Sequence, residues 1–136
     1  MEKSEELNFG KKSLSFGKSI LVVDDQPDLL ELQKNILEMN GFKVITALSA
    51  AEAFKILSET EAPKLILLDV RMEDMSGPEF LIMLEEVKPE IVKEVPIVFL
   101  TGLQEVPLGK AAGVIEKPFD IDYYLESINR FMGLGL

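Results

Sequence analysis

The stretch KLILLDVRMEDMSG, Lys64 to Gly77, decides how this chain is read. Leu65-Ile66-Leu67-Leu68 is apolar without alternation, the pattern of a strand buried on both faces, and it ends on a carboxylate, Asp69. Aspartate commonly opens a turn. Taken alone, Asp69 is therefore either an ordinary turn residue or a group held at a sheet edge for chemistry.

Working outward, the same pattern recurs at Ile20-Leu21-Val22-Val23 and Ile97-Val98-Phe99-Leu100, with weaker strand candidates at Lys43 to Ala47 and Val114-Ile115. Amphipathic stripes lie between them. Leu29, Leu32, Ile36 and Met39 form the first, and Ala50, Ala53, Phe54 and Leu57 the second. Phe80, Met83, Leu84 and Val87 form the third, and Ile121, Tyr124, Leu125, Ile128 and Phe131 the last. Ser49 with Glu52 has the spacing of a capping box, Gly41 follows the first helix, and Pro89 ends the third. Alternating strands and helices with right-handed crossovers predict a doubly wound α/β domain around a parallel sheet. One connection is short. GLQEVPLGKAAG, Gly102 to Gly113, holds three glycines and a proline. Glycine and proline cost a helix interior about 1 and 3 kcal/mol, so the fourth helix is predicted to be shortened or absent.

The composition limits what the domain can do. With 136 residues, 47% hydrophobic and 28% charged, the chain has the size and balance of one globular domain. Residues 1–17 read as a flexible N-terminal tail carrying Phe9-Gly10-Lys11 and the similar Phe16-Gly17-Lys18, and residues 18–136 as the domain. A net charge of −10 argues against a nucleic-acid partner. No apolar run approaches the roughly 18 residues of a membrane span, and MEKSEELNFG lacks the core of a signal peptide. There is no cysteine, hence no disulfide or thiolate metal site, which fits a cytoplasmic setting.

In a sheet of this kind, ligands bind outside the carboxyl ends of the strands. The first strand delivers Asp24 and Asp25 to that rim, the third Asp69, the fourth Thr101, and the fifth Lys117 followed by Pro118. Each has a plain reading by itself: a helix cap near Pro27, a strand-end residue, a surface lysine. Together, three crowded acids raise one another's pKa unless a cation sits among them. Oxygen ligands without histidine or cysteine suit a hard cation, Mg²⁺ before Zn²⁺.

ILVVDDQPD, LILLDVRMEDMSG, VPIVFLTG and GVIEKPF, in this order, resemble the receiver domain of two-component response regulators, over Lys18 to Met132. The resemblance implies a flavodoxin-like (βα)5 fold with strand order 2-1-3-4-5. It implies Asp69 as phosphoacceptor, with Mg²⁺ held by Asp24, Asp25, Asp69 and the backbone carbonyl of Arg71. Thr101 matches the switch hydroxyl and Lys117 the lysine that contacts the phosphoryl group, aimed inward by a cis bond before Pro118. The implied donor is a histidine kinase or histidine phosphotransfer protein, and the output is contact with a downstream target by a monomer or weak dimer. The implied chemistry is self-phosphorylation from a donor and self-dephosphorylation, with no other enzyme activity. Because the sequence stops at Leu136, a single-domain regulator is the expectation.

Three positions depart from the family's pattern. Val114 stands where an aromatic switch residue is usual, Glu73 replaces the usual proline, and the Thr101–Val114 connection is short. These departures keep a second reading open, a pseudo-receiver adaptor that binds partners without phosphorylation. An aspartyl phosphatase of the haloacid-dehalogenase type would carry an acid where Arg71 stands. A flavodoxin would carry a hydroxyl- and glycine-rich first loop in place of the acidic one here.

Overall fold

Continuous apolar segments need neighbours on both sides and both faces, and the chain supplies them as a parallel sheet wrapped by helices. The computed structural model describes residues 19–102, 106–117 and 120–134. Its elements run β1 (Ser19–Val23), α1 (Pro27–Met39), β2 (Lys43–Ala47), α2 (Ala50–Glu59) and β3 (Leu65–Asp69). They continue through α3 (Gly77–Val87), α4 (Pro89–Glu94), β4 (Ile97–Thr101), β5 (Gly113–Glu116) and α5 (Ile121–Phe131). The strands lie in the order β2-β1-β3-β4-β5, all parallel, the doubly wound arrangement read from the sequence. The expected tail at residues 1–17 and the cis bond at Pro118 fall outside the described residues.

Two cores flank the sheet. Leu21, Val23, Ile66, Leu68, Ile97 and Phe99 face α2, α3 and α4, while Ile20, Val22, Leu65, Leu67, Val98 and Leu100 face α1 and α5. Every residue of β3 and β4 is buried, and a fully buried leucine or isoleucine of this kind contributes about 2 kcal/mol. No described helix is long and apolar enough to cross a membrane.

The helix stripes hold in part. Ala50, Ala53 and Leu57 are buried in α2 as read. In α1 the buried set is Leu30, Gln33, Ile36 and Leu37, while Leu32 and Met39 are exposed. Leucines at both 29 and 30 offer two stripes one residue apart, and a polar residue, Gln33, conceals the correct one. Its burial is made possible by α5, where the Tyr124 hydroxyl donates to Gln33 Oε1 at 2.8 Å. In α3 the buried residues are Gly77, Phe80, Leu81 and Leu84, and Met83 and Val87 face solvent. Pro89 does follow the end of that helix, but it also opens the short helix α4, because the missing N–H of proline costs nothing in a first turn. Between β4 and β5 the described residues contain no helix, only a turn at Gly109–Lys110.

The caps carry two surprises. Ser49 Oγ accepts from Glu52 N at 3.0 Å, but the Glu52 carboxylate reaches past Ser49 to Leu48 N at 2.7 Å. The complete reciprocal box is Ser76 with Glu79, at the start of α3.

Candidate functional site at the carboxyl rim

Four of the five strands bring polar groups to the rim, and register sets their spacing. Val23 pairs with Ala47 and Leu68, Asp69 with Leu100, and Thr101 with Glu116. Asp24, Asp69, Thr101 and Lys117 thus leave adjacent strands at about one level. The ligand-capable oxygens of Asp24, Asp25 and Asp69 all lie within 4.8 Å of one another. A cleft of about 300 Å³ opens beside them, lined by Gln26, Asp69, Val70, Arg71, Thr101, Gly102 and Lys117.

Lys117 is the cation at the centre. Its Nζ lies 2.8 Å from Asp69 Oδ1 and 3.7 Å from Asp24 Oδ2. The lysine is carried there by the parallel ladder, whose last bond runs from Lys117 N to Thr101 O at 2.8 Å. Asp24 is fully buried and accepts from Gln26 N at 3.0 Å through Oδ1. Its other oxygen, Oδ2, has no hydrogen-bond partner among the described residues. Burial pushes the Asp24 carboxyl above the usual range, against the opposing Gln26 bond and Lys117 charge. Burial likewise raises Asp69, and Lys117 again opposes it.

An ammonium alone leaves this site incomplete. Lys117 pairs with two of the three carboxylates, Asp69 and Asp24, and the buried Asp24 Oδ2 lies beyond hydrogen-bond distance of it. All available donors are hard oxygens, so the residues fit a small divalent cation such as Mg²⁺. The carboxylates and lysine read from the sequence are therefore adjacent, and Thr101 and Arg71 line the same cleft.

Other contributors gave weaker signals in the sequence. Gly77 lies where an added Cβ would stand 3.0 Å from Asp69 O and 3.1 Å from Val70 Cα, and its N–H donates to Val70 O at 2.8 Å. A residue without a side chain lets α3 start this close to the end of β3 without displacing the strand-end backbone. A glycine at a helix start was the signal for it. Asp74 and the backbone of Glu73 also bond to neighbouring elements, and nothing in their sequence spacing indicates those partners.

Comparison with known proteins identifies the family and the fold. The family model described as "Response regulator receiver domain" matches residues 20–129. The transcriptional regulatory protein GlrR of Escherichia coli K12 is 34% identical over 116 residues, covering 81% of this chain and 25% of GlrR. The chain thus spans about a quarter of that relative's length. The polar-differentiation response regulator DivK of Brucella ovis is 25% identical over 122 residues, covering 85% of this chain and 97% of DivK. Among solved structures, the response regulator TrrA of Thermotoga maritima, in complex with Mg²⁺–BeF, superposes with a TM-score of 0.73 at 30% identity, covering 84% of this chain and 98% of TrrA.

Proposed function

The chain belongs to the response regulator receiver domain family, and from that premise we propose that Asp69 accepts a phosphoryl group in a Mg²⁺-dependent transfer from a histidine kinase or histidine phosphotransfer protein. The observation that carries this reading is the grouping of three carboxylates within 4.8 Å of one another, two of them paired with Lys117, and a buried Asp24 oxygen without a hydrogen bond among the described residues. The Mg²⁺–BeF complex of the similar TrrA supports the choice of cation.

The transfer balances as a displacement at phosphorus. An Asp69 oxygen supplies the electron pair for a new O–P bond, and the P–N bond to the donor imidazole breaks. The imidazole nitrogen keeps that pair and regains a proton from solvent. Asp24, Asp25, Asp69 and the Arg71 carbonyl would hold Mg²⁺, which when bound neutralises charge on the phosphoryl oxygens. Lys117 neutralises Asp69 before the transfer and can pair with a phosphoryl oxygen afterwards. Thr101, across the cleft, offers a hydroxyl to the same oxygens. Burial of Asp69 keeps water from competing as the nucleophile. The acyl phosphate adds charge and acceptor oxygens at the rim, and the response of Thr101 and Lys117 to it is the signal passed to a target protein.

Intact-mass measurement after incubation with acetyl phosphate and Mg²⁺ tests the reading. The wild-type chain should gain one phosphate, and Asp69→Asn and metal-free wild type should gain none. A gain retained in Asp69→Asn moves the nucleophile elsewhere. No gain in the wild type favours the adaptor.

A further inference from the structure

Resting on the reading of Asp25 as a metal-binding carboxylate, we propose that Glu73 and Asp74 are positioning residues that hold Asp25 for the cation. The backbone N–H of Glu73 donates to Asp25 Oδ2 at 2.9 Å. That bond fixes the rotation of the carboxylate and leaves its other oxygen for a metal. A proline at position 73, usual in the family, has no N–H to give. The contact therefore arises from one of the places where this chain departs from the pattern.

An amide can hold a carboxylate only if the amide is itself held. The next residue does this. Asp74 places Oδ1 3.3 Å from Ala50 N and Oδ2 3.1 Å from Ala51 N, the first two N–H groups of α2. Those groups have no acceptor within the helix, and the helix end favours an anion. Ala50 and Ala53 are buried, so the start of α2 is seated in the core. The strand before it completes a ring, since Ala47 O accepts from Asp24 N at 3.1 Å. Asp24 is thus tied to the end of β2, Asp25 to Glu73, and Asp74 to the start of α2. The loop after the phosphoacceptor and the acidic pair after β1 are registered against the same support. The side chain of Glu73 is exposed and takes no part; its backbone does.

Calorimetric titration of metal-free protein with MgCl₂, run beside urea unfolding, tests the proposal. Residues that orient metal ligands change affinity by 10–100-fold when removed, and an exposed backbone contact belongs at the low end, so Glu73→Pro should bind Mg²⁺ about tenfold more weakly. Glu73→Ala keeps the N–H and should stay within about twofold, the effect of one screened exposed charge. Asp74→Ala should also weaken binding, and Asp74→Asn, which keeps one of the two acceptor oxygens, should recover part of it. Should Glu73→Pro fail to fold, the Asp74 pair decides alone. Wild-type Mg²⁺ affinity in Asp74→Ala, with only stability lowered, would assign the cap to α2 alone and overturn the proposal. A wild-type chain that binds no Mg²⁺ overturns the metal reading beneath it.

Discussion

The chain leaves the sheet twice in similar settings, after β3 at Asp69 and after β4 at Thr101, and the two exits are built differently. The loop after β3 is bonded on every side: Gly77 N to Val70 O, Glu73 N to Asp25, Asp74 to two amides of α2, and Ser76 with Glu79 in a reciprocal cap. In the described part of the connection after β4, the backbone bonds are Ala111 N to Leu108 O and Ala112 N to Ile97 O. An ion pair of Lys110 with Glu85 at 3.2 Å joins that described part to α3 between exposed side chains, a type worth about 0–1 kcal/mol. The difference teaches where this fold concentrates its constraints. The exit that presents the proposed nucleophile is fixed by long-range hydrogen bonds. The described part of the exit that presents the proposed responding hydroxyl rests on strand pairing, local backbone bonds and the packing of Val106 and Ala111 against the core.

Substituting one glycine at each exit should separate them most. Gly77→Ala drives a Cβ against the backbone of Asp69 and Val70, neither of which can turn aside. Such overpacking should cost about 2 kcal/mol in urea unfolding. Among the described residues Gly102→Ala meets only Lys117 O at 3.9 Å, an ordinary contact, and its φ is not positive. It should change stability by less than about 0.5 kcal/mol. Equal losses at the two positions would break the comparison.

The next test uses charge. Asp24, in the acidic pair that the β3 loop grips through Asp25, is raised chiefly by burial. With the native pKa above the unfolded one, the native state binds more protons between the two values. Stability is then highest below the unfolded pKa and falls as pH rises through the native pKa. Asp24→Asn lacks this loss. The metal-free variant should be more stable than wild type at pH 7.5, with the gap narrowing as pH falls toward the ordinary carboxylate pKa. A gap that widens on acidification would show that the Gln26 and Lys117 contacts outweigh burial.

The smallest effects sharpen the picture of the β3 loop itself. Ser76→Ala removes half of the reciprocal cap on α3 and should cost about 1 kcal/mol. Ser49→Ala removes a cap that Asp74 shares, and should cost about half as much. If the two serines cost the same in thermal or urea unfolding, Asp74 adds nothing at α2.

Much of the molecule is legible in local pattern, and the failures are specific. In α1 a single buried amide hides the stripe, because Gln33 reads as a surface residue until Tyr124 is brought beside it. In α2 the spacing of Ser49 and Glu52 fits a capping box, yet the glutamate accepts from Leu48 N instead, since its carboxylate can reach either N–H donor. Ser76 and Glu79 carry the same signature, and only there is the reciprocal box complete.

By itself the sequence determined where the strands lie and which acids, hydroxyl and lysine reach one rim. Those features depend on runs of a few adjacent residues, where burial on both faces leaves little choice of conformation. Only the tertiary structure decided which of those groups touch and what holds them. Tyr124 meets Gln33 across 91 positions, Lys117 meets Asp69 and Glu73 meets Asp25 across 48, and Asp74 caps α2 across 24 and 23. Such bonds depend on how closely two separate elements approach in space. That approach is set by packing the whole sheet between its helices, which no short stretch of the chain encodes.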